Sequence, residues 1–221
     1  MARRQRAAAP PADEEDWLTT YADAITLLMA FFVMLVSFSK IDLPAFEEAM
    51  AGIKKELGRE EAPKRPMFDL AQNLNTILEE VQIDQDEVET GFDESGVVIE
   101  FANNSFFRPG SAELLPRAKK ILTGIAYEVA EPPYDLYFVD VEGHTDDSPI
   151  HTARFPSNWE LSTARATGVV RYLIEVGVEP ERLKASGYAE VKPKFPNRDL
   201  FGEPIPENQA KNRRITIRLH P

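Results

Sequence analysis

One feature of this chain limits its fold more than any other: the apolar run AITLLMAFFVMLVSF at residues 24–38, which directly follows an aspartate, Asp23. With its weaker flanks the hydrophobic stretch extends over residues 18–41. That length meets the roughly 20 residues that a helix needs to cross a bilayer. We therefore predict a single transmembrane helix over residues 17–41.

The carboxylate of Asp23 is costly to place in or beside such a helix, by roughly 2.5–3.5 kcal/mol on insertion scales. Ionisable groups inside membranes mark ion or proton pathways, so Asp23 is the candidate ion-carrying residue. A carboxylate in low dielectric favours its neutral form and can take up and release a proton. With the hydroxyl oxygens of Thr19, Thr20 or Thr26 it could instead coordinate a small hard cation. The alternative is that Asp23 only caps the helix at the headgroup level.

The composition argues against several classes of function. The formal net charge is −12, whereas nucleic-acid binding requires a basic surface. The 221 residues include no cysteine and three histidines, which excludes disulfides and thiolate metal sites and disfavours a His-rich metal site. The chain shows no phosphate-binding glycine loop, Ser/His/Asp arrangement or hydrolase motif. We therefore expect neither enzyme activity nor a cofactor.

The N-terminal residues predict the orientation of the span. Arg3, Arg4 and Arg6 precede the apolar run, and cytoplasmic flanks carry excess Lys and Arg. Residues 1–16 are therefore predicted to be a cytoplasmic tail, with the C-terminal part of the chain periplasmic. A cleaved signal peptide is the alternative, but its apolar core would have about 7–15 residues and end at a small-residue cleavage site.

Residues 42–66, which follow the span, are predicted to form a short amphipathic helix and a linker. Pro44 is tolerated in a first helical turn and Gly58 is a stop signal. An apolar stripe at positions i, i+4, i+7 and i+11 marks one face of the helix. Its members are Phe46, Met50, Ile53 and Leu57. The stripe indicates either core packing or a dimer contact.

From Met67 onward the pattern is typical of a globular domain, which we predict to span residues 67–221. Strand signals alternate with helix signals. Helices are predicted at 67–81, 116–130 and 158–175, and strands at 88–92, 97–101, 136–142, 183–188 and 215–219. Gly177 is expected to close the third of these helices. The fold class is therefore α+β, with an α/β sandwich in which helices pack on a mixed sheet.

The segment WLTTYADAITLLMAFFVMLVSFSKID, which starts at Trp17, resembles the membrane segment of the MotB family of flagellar motor stator proteins. The match rests on W-x-x-x-Y-A-D followed by T-x-L-x-x-F-F. The resemblance implies that Asp23 carries H⁺ or Na⁺ in a bacterial inner membrane. It also implies a homodimer that assembles with a MotA-like membrane subunit. In that family an amphipathic segment after the span acts as a plug, a role that would fall to the apolar stripe.

Two further motifs, G-H-T-D and N-x-x-L-S-x-x-R-A, are similar to the signature of the OmpA-like peptidoglycan-binding domain. The agreement extends over residues 101–219. The resemblance carries over four peptidoglycan-binding residues: Asp146, Asn158, Leu161 and Arg165.

The chemistry of peptidoglycan suits this set. Diaminopimelate presents an ammonium beside a carboxylate, so Asp146 can take the ammonium while Arg165 clamps the carboxylate bidentately. The alternative is an ordinary ion pair between these two residues. Asn158 is expected to cap the helix that it begins, and Leu161 shares a helix face with Arg165 four positions later.

Three other polar residues near these motifs have less definite roles. His144 is expected to be a structural member of the G-H-T-D loop rather than a catalytic or metal-binding group. Arg213 and Arg214 either support the site or face solvent.

Together these features predict a stator subunit of an ion-driven flagellar motor that is anchored to peptidoglycan. Two alternatives stay open. One is a non-flagellar ion-driven motor, of the Zorya or gliding type. The other is a passive tether between inner membrane and cell wall, which would have no need of Asp23. Whether H⁺ or Na⁺ is carried is also open.

Overall fold

The computed structural model describes residues 16–38, 46, 49–50 and 66–221. The chain forms two units, one that ends at Ile41 and one that begins at Asp42. The predicted cytoplasmic tail up to residue 15, the end of the span after residue 38 and most of the plug and linker lie outside the described residues.

Helix α1 (Asp16–Phe38) corresponds to the predicted span as far as Phe38, and the expected apolar N-terminal helix is confirmed. Its 23 residues extend over about 35 Å. The stretch Trp17–Val36, with a mean hydropathy of 1.8, is long and apolar enough to cross a bilayer, and none of it is buried. An apolar surface of this extent needs lipid or another protein chain to cover it.

Two members of the apolar stripe after the span, Phe46 and Met50, are described, and both are exposed. Ile53 and Leu57 lie outside the described residues. The plug therefore stays a prediction.

The second unit alternates strands and helices as the sequence predicts. Its elements are α2 (Pro66–Glu80), β1 (Val88–Phe92), β2 (Val97–Ala102), α3 (Asn103–Phe106), α4 (Pro116–Ala130), β3 (Phe138–Gly143), α5 (Asn158–Glu175), β4 (Leu183–Gly187), α6 (Pro206–Asn212) and β5 (Arg214–His220).

The strands form one sheet in the order β1-β2-β5-β3-β4. β3 and β4 run parallel and the other neighbours are antiparallel, so the predicted mixed sheet is confirmed. The parallel pair arises because α5 crosses over between the two strands. Helices α2, α4 and α5 enclose one core with the alternate sheet residues that point toward them, among them the fully buried Ile99, Val141 and Ile217.

Two glycines let α5 lie close to the parallel pair. A Cβ on Gly143, at the end of β3, would be 2.2 Å from the carbonyl oxygen of Ser162, and a Cβ on Gly187 would be 2.2 Å from Oγ1 of Thr163. Both distances are far inside van der Waals contact, so the approach requires glycine. The first turns of α5 therefore lie against the strand end that leads to Asp146.

The structure departs from the predicted elements in two places. The strand predicted at 136–142 begins only at Phe138, because Leu136, at 78% exposed, lies in the turn that precedes the sheet. Helices α3 and α6, of 4 and 7 residues, have no counterpart in the prediction, since such short segments show no helical periodicity. Gly177, with φ of +108°, follows α5 as predicted.

Candidate functional site

The loop between β3 and α5 ends in a helix cap formed by Ser157. Its Oγ accepts a hydrogen bond from the backbone N of Trp159 at 3.2 Å, and Oε2 of Glu160 accepts one from the backbone N of Ser157 at 2.8 Å. The prediction that Asn158 caps this helix is therefore wrong. Asn158 is the first helical residue, and the serine before it completes a capping box with Glu160.

Asn158 instead ties the loop to the helix. Its Nδ2 donates to the carbonyl oxygens of Ser148 at 3.0 Å and Asp146 at 3.3 Å. The residue is buried, so these bonds are shielded from water and fix the backbone around Asp146. Asn158 thus positions the carboxylate that precedes it.

Asp146 is buried, at 6% exposed, and its carboxylate has two partners in the described chain. Oδ1 accepts a hydrogen bond from the backbone N of Ser148 at 3.2 Å, and Oδ2 forms an ion pair with Nη1 of Arg213. The alternative of a direct Asp146–Arg165 ion pair is not what the structure shows. Arg213, whose role the sequence left open, supports the site.

Arg165 is buried more deeply still, at 3% exposed. Its Nε donates to the carbonyl oxygen of Ser111 at 2.9 Å, and its guanidinium lies 5.4 Å from the ring centroid of Phe107. The pKa of the Arg165 guanidinium is lowered to about 10, first by burial and second by the positive charge of Arg213. The negative charge of Asp146 acts in the opposite direction. Within residues 66–221 no carboxylate pairs with Arg165. A buried cation without a counter-ion is stabilised when it binds an anion from outside the protein.

All four predicted peptidoglycan-binding residues line one cleft of about 1050 Å³. Asp146, Asn158, Leu161 and Arg165 share it with Phe107, Lys194, Arg213 and Arg214. A buried anion and a buried cation therefore face the same space, which is the arrangement that a zwitterionic ligand requires. Arg214 also bonds Oε1 of Glu100 through its Nε at 3.1 Å.

His144 lies beside this site but does not line the cleft. It is 2% exposed, its ring stacks on Tyr188, and its Nε2 lies 3.4 Å from Oε2 of Glu142. Burial lowers the pKa of the His144 imidazole, which favours the neutral ring. Among the described residues no group of three or more His, Asp or Glu side chains is placed to hold a metal ion.

Sequence reasoning missed Phe107 and Ser111, which hold Arg165. Ser111 is 54 positions away from Arg165 in the chain, so no local motif connects them. The ring of Phe107 reaches the guanidinium only through the packing of the folded domain.

Asp23 lies in the first half of α1. It is exposed, and its carbonyl oxygen accepts a hydrogen bond from Oγ1 of Thr26 at 2.8 Å. Asp23 is the only charged residue of the helix after Asp16. The carboxylate thus lies in a helix that is otherwise uncharged after Asp16.

Two family models match separate parts of the chain. Residues 2–57 match the model described as "Membrane MotB of proton-channel complex MotA/MotB", and residues 106–205 match the OmpA family. An uncharacterized protein of Bacillus subtilis, YtxE, is 33% identical, over 97% of this chain and 92% of its own length. The chain belongs to the MotB family. Motility protein B of the same organism is 29% identical to this MotB-family chain, over 94% of this chain and 91% of its own length.

Solved structures agree with the fold of the second unit. The cell wall anchor of the T6SS from Pseudomonas aeruginosa is 28% identical, with a TM-score of 0.56, over 66% of this chain and 96% of its own. The OmpA match contains Asp146, Asn158, Leu161 and Arg165, whereas Arg213 lies beyond its last residue. The predicted MotB family with an OmpA-like domain is confirmed.

Proposed function

We propose that this MotB-family chain is the stator subunit of an ion-driven flagellar motor. Asp23 carries H⁺ or Na⁺ through the membrane, and the second unit anchors the stator to peptidoglycan. The chain works as a homodimer with a MotA-like membrane subunit, acts by binding and ion transfer rather than by catalysis, and uses no cofactor. It crosses the inner membrane once, over residues 17–41, with residues 1–16 in the cytoplasm and residues 67–221 in the periplasm.

One observation carries the ion-conducting half of this proposal. Asp23 lies within an apolar helix whose described surface is entirely exposed, so lipid or a partner chain must surround it. Retaining an ionisable group there is costly and marks an ion pathway. The neighbouring Thr20 and Thr26 supply hydroxyl oxygens that suit Na⁺ as well as a relayed proton.

The cleft supports the anchoring half. Asp146 and Arg165 offer one buried negative and one buried positive group to the same cavity. Diaminopimelate carries an ammonium and a carboxylate on one carbon, so it can satisfy both at once. We assign Asp146 to the ammonium, Arg165 to the carboxylate, Asn158 to positioning Asp146 and Leu161 to apolar contact with the ligand.

Residues 42–66 are assigned to a plug and linker. The apolar stripe of Phe46, Met50, Ile53 and Leu57 would shield the ion pathway until the stator assembles. The exposure of Phe46 and Met50 is compatible with such a role, because both side chains are free to contact a membrane or a partner subunit.

A second candidate function is a passive tether that joins inner membrane and cell wall. It is favoured by the likeness of the second unit to the T6SS cell wall anchor. A tether requires the cleft but not a carboxylate in its membrane helix. A substitution of Asp23 therefore distinguishes the two functions.

The deciding experiment measures ion flux and swimming in cells that express the chain with a MotA-like subunit. Asp23→Asn should abolish both while membrane insertion and complex assembly persist, because the amide carries neither an exchangeable proton nor a negative charge. Asp23→Glu should retain partial output, and Leu35→Ala, a change at an exposed apolar residue about three turns away in the same helix, serves as a control. Normal flux and swimming in the Asn variant would leave the tether as the better assignment. Loss of flux without any flagellar phenotype would indicate a non-flagellar motor.

A further inference from the structure

The cleft extends beyond the Asp146–Arg165 pair, to the side-chain amide of Asn103. Asn103, directly after β2, lines the cleft and is 9% exposed. Its side-chain Oδ1 is buried without a hydrogen-bond partner in the described part of the chain. A buried acceptor left in this state costs folding free energy, so a bound group that satisfies it is a physical expectation.

The backbone of Asn103 is hydrogen-bonded to two residues that contact the charged side chains of the cleft. Its N donates to the carbonyl oxygen of Arg213 at 2.9 Å, and its own carbonyl oxygen accepts from the N of Phe107 at 2.8 Å. Arg213 pairs with Asp146, and the ring of Phe107 lies beside the guanidinium of Arg165. The backbone of Asn103 is therefore bonded to the two residues that contact the charged pair, and Asn103 lines the same cleft as that pair.

The cleft is also larger than the volume that one bound amino acid would fill. Pockets of about 300–1,000 Å³ enclose most of a drug-sized ligand, and this cleft measures about 1050 Å³. A single diaminopimelate would leave much of that space unfilled. The ligand that fits is a longer chain with a zwitterion at one point.

We propose that Asn103 forms a second subsite, which binds a peptide bond of a stem peptide whose diaminopimelate lies between Asp146 and Arg165. An amide side chain has both a donor and an acceptor and so matches a peptide N–H and C=O. The unpartnered Oδ1 takes the N–H. This inference rests on the proposed peptidoglycan-binding function. It adds that the domain distinguishes a peptide from the free diamino acid, through a residue that lies outside the OmpA match.

The test compares two probes on the full-length chain, purified in detergent, by isothermal titration. The probes are free meso-diaminopimelic acid and the tripeptide L-Ala-γ-D-Glu-meso-diaminopimelate. Asn103→Ala should weaken tripeptide affinity about three- to tenfold, the range of one hydrogen bond, and leave the free diamino acid unaffected. The melting temperature should stay the same or rise, because the substitution removes an unsatisfied buried oxygen.

Ser105→Ala is the matched control. Ser105 lies in the same short helix and also has a buried, unpartnered Oγ, but it does not line the cleft. It should leave both affinities unchanged. Unchanged tripeptide affinity in folded Asn103→Ala would overturn the second subsite while the anchoring function stands. Failure of the unsubstituted chain to bind either probe would overturn the anchoring function, and the inference with it.

Discussion

Arg213 forms an ion pair with Asp146 through Nη1 and Oδ2, on the carboxylate that we assign to the ligand ammonium. Asp146 is almost fully buried, whereas 42% of the Arg213 side chain is exposed. The arginine thus neutralises a buried charge in the ligand-free protein and can move toward solvent with little loss of packing. A ligand ammonium must share the carboxylate with Arg213 or displace it.

Removing Arg213 should therefore lower stability and strengthen binding. In Arg213→Ala the buried carboxylate keeps only the backbone N of Ser148. We expect a loss of about 1–3 kcal/mol in unfolding free energy, between the values for exposed and buried pairs. Affinity for diaminopimelic acid should rise, because a competing cation is gone.

Urea unfolding measures the loss of stability, and isothermal titration measures the gain of affinity. Arg213→Lys, which keeps the charge, should show smaller changes in both. Weaker binding by folded Arg213→Ala would mean that Arg213 contacts the ligand itself.

Asp146 and Arg165 should both be needed for binding to the cell wall. The fragment of residues 67–221 contains a complete core and is expected to fold alone. Charge-assisted hydrogen bonds contribute roughly 1.5–3 kcal/mol each, so Asp146→Asn and Arg165→Met should each reduce sedimentation with purified sacculi by tenfold or more.

The melting temperature separates a ligand role from a structural one in the same two variants. Arg165→Met removes a buried cation that lacks a carboxylate partner while it keeps an aliphatic side chain on Phe107. Its melting temperature should therefore stay near that of the unsubstituted fragment. A large fall in melting temperature with intact sacculus binding would contradict the assignment of Arg165.

The sequence predicts those parts of this protein that depend on local patterns. The bounds of α4 and α5 follow from helical periodicity with Pro116 and Gly177 at the ends, and the mixed sheet follows from alternating element types. The sequence places the cap of α5 one residue too late, because Asn158 and Ser157 are both good N-cap residues and only the side-chain contacts distinguish them.

The partners of the charged residues depend on tertiary packing instead. Asp146 and Arg213 are 67 positions apart, and they meet only because β3 and β5 are neighbours in the sheet. The two motifs that contain Asp146 and Arg165 left open an ion pair between these residues, whereas the folded domain gives each a different partner. The amide of Asn103 has no sequence signal, since an unsatisfied buried oxygen can be recognised only once its surroundings are known.

Acid should destabilise the domain partly through Glu142. The close approach of His144, whose Nε2 lies 3.4 Å from Oε2 of Glu142, lowers the pKa of the Glu142 carboxyl from 4.5 to about 2. The ion pair between Glu142 Oε1 and Arg218 Nη1 at 2.8 Å acts in the same direction. Because the folded-state pKa is the lower one, this contribution is complete above pH 4.5 and is lost as the pH falls toward 2. After screening by solvent it amounts to about 1–2 kcal/mol.

Urea unfolding of the 67–221 fragment at pH 7, 4 and 3 checks this expectation. Glu142→Gln should be less stable at pH 7 and should lose less stability between pH 7 and 3 than the unsubstituted fragment. Glu175→Gln, which changes an exposed carboxylate at the end of α5, is the control and should follow the unsubstituted curve. Parallel curves for Glu142→Gln and the unsubstituted fragment would assign the acid sensitivity to other groups.

The stripe after the span should limit ion leakage. Deletion of residues 42–57, in cells that also express a MotA-like subunit, should slow growth and acidify the cytoplasm, or raise its Na⁺ if that is the carried ion. Phe46→Glu should do the same more weakly, because a charged side chain cannot remain against an apolar surface.

Leu200→Glu is the matched control, since Leu200 is an exposed apolar residue of the second unit, remote in sequence from the span. Combining the deletion with Asp23→Asn should restore growth, because the leak requires the ion-carrying carboxylate. If the deletion and Phe46→Glu leak no more than Leu200→Glu, residues 42–57 are a linker and not a plug.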